Sequence, residues 1–276
     1  MQTSVPPRNH SASIGGGKLF TRANWLSTFL LAASFLSALA AIIAKSDSNR
    51  PEAILLLLAT ISTLAALTRR LPSQNVLLVA FIIALIGSGA HALGAKSGIP
   101  FGQFMFGPDA GQKIFGVLPW AMPLIWIVVV LNSRGVARLV LRPWRKMRTY
   151  GIWLIGLTAL FTMLFDCALE PFAAHAKHYW LWATSSFSLM SHGAPLINSV
   201  GWFVVTLLIL AFATPILINK QLSKRSAPDF HPLAVWLGGI LLFAVAAALN
   251  GLWPAIAVDA VIGIAATVFA IRGARW

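Results

Sequence analysis

Charge is scarce in this chain. Only 10% of its 276 residues are Asp, Glu, Lys or Arg, against about a quarter in a soluble domain. Acidic residues are scarcer still, seven against 21 basic ones, for a net charge of +14. Cysteine is nearly absent. The single Cys167 excludes an intrachain disulfide and a thiolate metal cluster, and its place inside an apolar run marks it as a buried, inert thiol. No P-loop, dinucleotide-binding glycine pattern or nucleophile elbow is present, nor a repeat that would divide the chain into homologous halves. What is abundant is apolar: 58% of residues, with a mean hydropathy of +0.79. The positive charge does not point to nucleic acid, because the basic residues lie between apolar runs, as they do in membrane proteins.

A helix needs roughly 20 apolar residues to cross the hydrocarbon core. Eight runs qualify as spans: Trp25–Ala44, Ala53–Leu67, Val76–Leu93, Ile114–Leu131, Ile152–Leu169, Leu196–Ile218, Leu233–Leu249 and Ala255–Ile271. The second is short and is expected to extend or to tilt. Residues 1–23 are polar, with Pro6, Pro7 and three consecutive glycines, and read as a disordered tail. The run after Arg22 exceeds the 7–15 residues of a signal peptide, so it reads as a retained helix. The expected architecture is therefore all-α: residues 24–276 form a single polytopic transmembrane bundle. With eight spans, sixteen basic residues fall on one side, in the tail, the loops around Arg69–Arg70, Arg134–Arg148 and Lys220–Arg225, and the C-terminus. Only Lys45, Arg50, Lys96, Lys113 and Lys177 fall on the other. The positive-inside rule makes the rich side cytoplasmic and puts both termini there. The expected location is the cytoplasmic membrane of a prokaryote, with the lipid bilayer as surroundings and no nucleic-acid partner. Oligomeric state is not legible.

Ionisable groups inside a membrane are costly and are functional candidates by default. Asp47, Glu52 and Asp229 fall in short loops and read as ordinary solvated charges. Asp166 and Glu170, near the end of the fifth span, stand four residues apart and share a helix face. Two ionised carboxylates so placed repel, and desolvation opposes charge, so the pair is expected to retain a proton. A carboxylic acid beside a carboxylate suits acid–base chemistry; the alternative is a pair that fixes packing through Lys or His near the helix end. Pro171 is expected to end or bend the helix. Asp259, in the last span, reads equally as a site residue or a helix-contact residue, and Asp109 lies toward the same outer side.

His91, His175, His178 and His192 also gather on the outer side. Together with the acids they suggest a metal site, but membrane diiron enzymes use many more histidines in repeated short boxes, so no metal is assigned. Aromatics crowd the same segments. Most fit an interfacial belt, while Trp120 and Trp202 fall within predicted spans and suit a pocket wall, where aromatic faces can stabilise a cation. Tyr179–Met190 is too short to span and reads as interfacial or re-entrant.

The order Asp166-x3-Glu170-Pro171, Tyr179-Trp180-x-Trp182 and Gly193-Ala194-Pro195-x2-Asn198-x2-Gly201-Trp202 resembles the carotenoid biosynthesis membrane proteins, over roughly residues 100–205. Phe106-Gly107 and Pro119-Trp120-x5-Trp126 fit the same pattern. Ser191-His192 and Ser199 stand where that family commonly has aromatics, which bears on substrate choice. The family includes hydratases of acyclic carotenoid ends. The resemblance implies a carotenoid or other isoprenoid substrate dissolved in the membrane, and hydration of a terminal double bond without redox cofactor or metal. It also implies roles: Asp166 or Glu170 donates the proton, and the partner carboxylate with Asn198 or His192 orients water. Trp120, Trp180 and Trp202 shield the cation, with Asp109 and Trp182 among the substrate-binding residues. Competing expectations are a proton-coupled transporter, a lipid-binding membrane protein, or another isoprenoid enzyme such as a metal-dependent hydroxylase.

Overall fold

The computed structural model describes residues 16–46, 48–183, 194–218 and 227–276. Its helices are α1 (Gly16–Ile43), α2 (Arg50–Thr68), α3 (Ser73–Ser97), α4 (Ala121–Val140), α5 (Tyr150–Pro171), α6 (Leu196–Ala213), α7 (His231–Leu249) and α8 (Trp253–Ala274). Four short strands complete it: β1 (Phe104–Phe106), β2 (Lys113–Ile114), β3 (Leu118–Pro119) and β4 (Trp180–Trp182). The all-α polytopic bundle expected from the hydropathy is what forms. Seven helices, α2 to α8, are long and apolar enough to cross a membrane, and α1 carries a shorter apolar stretch, Thr28–Ile43. Helix α1 starts at Gly16, inside the segment read from sequence as tail; residues 1–15 of that segment lie outside the described residues.

Local chemistry sets the helix ends. Proline stands in the first turn of α2, α7 and α8, where its missing N–H has no intrahelical partner to lose. Helix α3 ends on Gly98, at φ 77°, whose N–H bonds to the Gly94 carbonyl. One span sits elsewhere than its hydropathy suggested. Phe115 and Gly116 adopt left-handed backbone, φ 50° and 69°, and turn the chain between β2 and β3. The apolar run that begins at Ile114 is thus spent on a hairpin, and α4 begins only at Ala121 and carries on through Arg134 and Arg138.

Helix α4 is the most buried of the spans and touches α2, α3, α5, α7 and α8. The outer helices present Phe29, Leu77, Phe81, Leu85, Val261 and Ile264 outward, as lipid-facing surfaces do; helix association in lipid then depends on close packing and interhelical hydrogen bonds. Packing is tight where it matters. A Cβ on Gly87 of α3 would sit 2.3 Å from the Trp126 ring of α4, so only glycine admits that indole. One end of the bundle carries the four strands; the opposite end carries Arg134, Arg138 and Arg142.

Candidate active site

The strands place the tryptophans. Strand β4 pairs antiparallel with β1, Phe104 opposite Trp182 and Phe106 opposite Trp180. Alternation along a strand puts Trp180 and Trp182 on one face. That face meets the end of α5, where both indole N–H groups donate to Oε1 of Glu170, Trp180 at 2.9 Å and Trp182 in a closer contact. Helix α5 does not stop at Pro171 but passes into a π-helical turn, Phe172–Ala176, which feeds the chain back toward β4.

Asp166 and Glu170 are buried, at 1% and 6% exposure. From α6, the Asn198 amide donates to Asp166 Oδ2 at 2.9 Å and to Glu170 Oε2 at 3.3 Å. Glu170 therefore receives three donors. Asp166 receives one, and its Oδ1 is buried without a hydrogen-bond partner. Neither acid is paired with Lys or Arg among the described ion pairs.

Beside this group lies a cavity of about 910 Å³, near the upper end of small-molecule sites. It is bounded by α1, α2, α4 and α7, and follows α7 from His231 to Phe243, about 18 Å at 1.5 Å per residue. Its walls are mostly apolar, including Phe35, Phe165, Leu169, Phe172 and Phe243. Trp180 lines it, whereas Asp166 and Glu170 do not. One indole thus touches both the cavity and the acid pair.

Trp120 and Asp109 also line the cavity. Trp120 stands at the N-cap of α4 rather than inside a span, and exposed Asp109 lies in a short 3-10 turn, its carbonyl accepting from Asn49. Trp202 goes elsewhere. It stacks on Trp126 at a ring separation of 4.1 Å, against His91, Phe101 and Trp126, away from the cavity lining. His91 is buried there and accepts from Trp126 Nε1 at 3.1 Å. The structure thus brings Asp166, Glu170, Asn198, Trp180 and Trp182 together, with Trp120 and Asp109 at the neighbouring cavity. His192 and most of Tyr179–Met190 lie outside the described residues; the part that is described forms β4. Among the described residues no three His, Cys, Asp or Glu side chains gather as a metal site requires. Asp259 is buried in α8 with Oδ1 unpartnered.

Sequence reasoning missed Glu52. It is no solvated loop charge: it lies in the first turn of α2, lines the cavity, and pairs with Lys177 at 2.6 Å, both side chains under 15% exposed. The π-helical turn delivers Lys177 to it. Only the length of a span read as too short hinted that α2 begins before Ala53. Tyr179, on the same turn's exit, lines the cavity beside this pair.

The sequence matches the carotenoid biosynthesis protein family over residues 52–266, and the chain belongs to that family. It is a multi-pass integral membrane protein of carotenoid biosynthesis. More particularly, it is similar to the bisanhydrobacterioruberin hydratase of Haloarcula japonica, 29% identical over 122 residues. That match spans 44% of this chain and 39% of the length of the hydratase. No solved structure matches.

Proposed function

We propose that the protein hydrates a terminal double bond at the acyclic end of a carotenoid. The observation that carries this is Trp180, which lines the apolar cavity while donating to Glu170 of a buried carboxyl pair. A chain end in the cavity is one indole away from an acid. The cavity, about 18 Å along α7, is shorter than the roughly 30 Å hydrocarbon core, so it takes one end of a long polyene and leaves the rest in lipid.

Hydration adds a proton to the less substituted alkene carbon, leaves a tertiary cation, and ends when water attacks that cation and loses a proton. Glu170 already accepts from three N–H donors, whereas Asp166 has one donor and a free Oδ1, which leaves on Asp166 the oxygen where a proton can sit. On this reading Asp166 supplies the proton and the pair recovers it from the attacking water. Trp180 must first move off Glu170 to open the pair to the cavity. On the same reading Glu52, paired with Lys177 at that end of the cavity, orients water, and Trp120 and Trp180 offer aromatic faces to the cation.

The test is pigment analysis by mass after expression in a lycopene-accumulating host. A gain of water per modified end is expected; gain of a single oxygen atom instead indicates a hydroxylase. Asp166→Asn should abolish the gain while the protein still accumulates in the membrane, and full activity in that variant would sink the assignment. With the basic-rich loops taken as cytoplasmic, we further propose that both termini lie in the cytoplasm, that the protein sits in the cytoplasmic membrane of a prokaryote, and that the acid pair lies in the outer half.

A further inference from the structure

The arginine end of the bundle holds a second, smaller pocket of about 290 Å³. Five guanidinium groups line it: Arg70 after α2, Arg134 and Arg138 of α4, Arg142, and Arg145 beyond it. Among the described residues Asp229 is the one carboxylate in the lining, and it is paired with Arg70 at 3.4 Å. The balance in so small a space is strongly positive.

Orientation by positive loops explains why arginines are on this side, but it does not require them to converge or to be buried. Lys146 and Arg148 of the same loop serve orientation equally well while exposed, and neither lines the pocket. Arg134 is different. It is 7% exposed, and the described ion pairs, Arg70–Asp229 and Lys177–Glu52, leave it without a carboxylate. A buried guanidinium with no anion is strongly unfavourable. Arg138 stands one turn further on the same face of α4, a like-charge spacing that destabilises a helix unless something bridges it. A planar guanidinium offers paired N–H donors that match an oxyanion. The pocket also lies at the ends of apolar helices, the level at which lipid phosphates sit. His231 lines both this pocket and the large cavity.

We propose that this pocket is a binding site for a phosphate-type oxyanion, carried either by the headgroup of an anionic membrane amphiphile or by a free phosphate or diphosphate. The site is independent of the hydration chemistry and uses none of its residues.

The experiment reconstitutes the full chain in nanodiscs. One arm compares phosphatidylcholine alone with phosphatidylcholine doped with phosphatidylglycerol, and counts lipids retained on the ejected protein by native mass spectrometry. The other titrates inorganic pyrophosphate into the phosphatidylcholine discs by calorimetry. Retained phosphatidylglycerol identifies the amphiphile as source; pyrophosphate binding with no lipid preference identifies the free anion. In either case Arg138→Gln should weaken binding about tenfold, and adding Arg134→Gln about tenfold again, the size of a lost charge-assisted contact. Arg138 and Arg145 are exposed, so the pair R138Q/R145Q leaves the buried core intact if R134Q fails to fold. K146Q/R148Q removes the same charge outside the pocket and should leave binding unchanged. Absence of binding in both arms would overturn the proposal. So would equal loss in K146Q/R148Q, which would reduce the effect to surface charge.

Discussion

Two isosteric substitutions at the acid pair should differ sharply, and the difference follows from counting donors. In Glu170→Gln one carboxylate oxygen becomes an NH2 group. If that group takes the place of Oε2 it meets the Asn198 amide, itself a donor; if it takes the place of Oε1 it meets two indole N–H groups. Either orientation leaves at least one buried donor unsatisfied, at about 1–3 kcal/mol each. In Asp166→Asn the carbonyl oxygen can keep the place of Oδ2 and accept from Asn198, while the NH2 group takes the place of Oδ1. Oδ1 is already unsatisfied, so one unpartnered buried group replaces another and no existing donor loses its acceptor. Relief of like-charge repulsion favours neither variant if the pair already shares a proton. We expect Glu170→Gln to cost about 2 kcal/mol and Asp166→Asn less than about 1 kcal/mol. At about 2–4 °C per kcal/mol for a chain of this size, these are falls in Tm of about 4–8 °C and under about 4 °C. The assay is thermal unfolding in detergent, followed by the fluorescence of the eleven tryptophans. If Asp166→Asn destabilises as much as Glu170→Gln, the assignment of donors to oxygens is wrong, and with it the choice of Asp166 as proton carrier.

Two further expectations concern the cavity end and the topology. Glu52→Gln strands Lys177 in a mostly buried position and should lower stability by about 2–3 kcal/mol, while the double variant E52Q/K177Q recovers part of the loss; a double variant no more stable than the single one would show that the ion pair contributes nothing. Fusion of a fluorescent reporter that matures only in the cytoplasm to the C-terminus should give signal, and a periplasmic alkaline phosphatase fused there should be inactive; the opposite pattern would reverse the orientation.

Much of the bundle was legible because burial in lipid requires long apolar runs, and such runs are conspicuous. The failure at the fourth span is instructive. Hydropathy treats Ile114–Leu118 as spanning residues, but the turn at Phe115–Gly116 is a backbone decision that hydropathy does not register. The juxtaposition of Asp166 with Glu170 followed from helical spacing alone, and α5 runs through both. Their donors did not: Trp180 and Trp182 reach Glu170 only because β4 pairs with a strand more than seventy residues earlier. Asn198 could be singled out by resemblance, yet its simultaneous contact with both acids required the α5–α6 packing. Glu52 was misjudged because a charge next to Pro51 at a helix start looks like a loop residue until its partner Lys177 is brought across the bundle. Trp202 was placed correctly inside a span, but the chain alone does not say which neighbour an indole will stack on.

The pairing of β1 with β4 also orders events during synthesis. Helix α5 enters the bilayer with both of its acids already made, near its end and so below the roughly 3 kcal/mol cost of an acidic residue at the centre of a span, and at that moment none of their donors is in place. The indoles follow about ten residues later, on the strand that pairs with β1, which precedes α4 in the chain. Asn198 arrives last, with α6. The acid pair is therefore a late-closing joint, complete only when Asn198 has been made and α6 packs on α5.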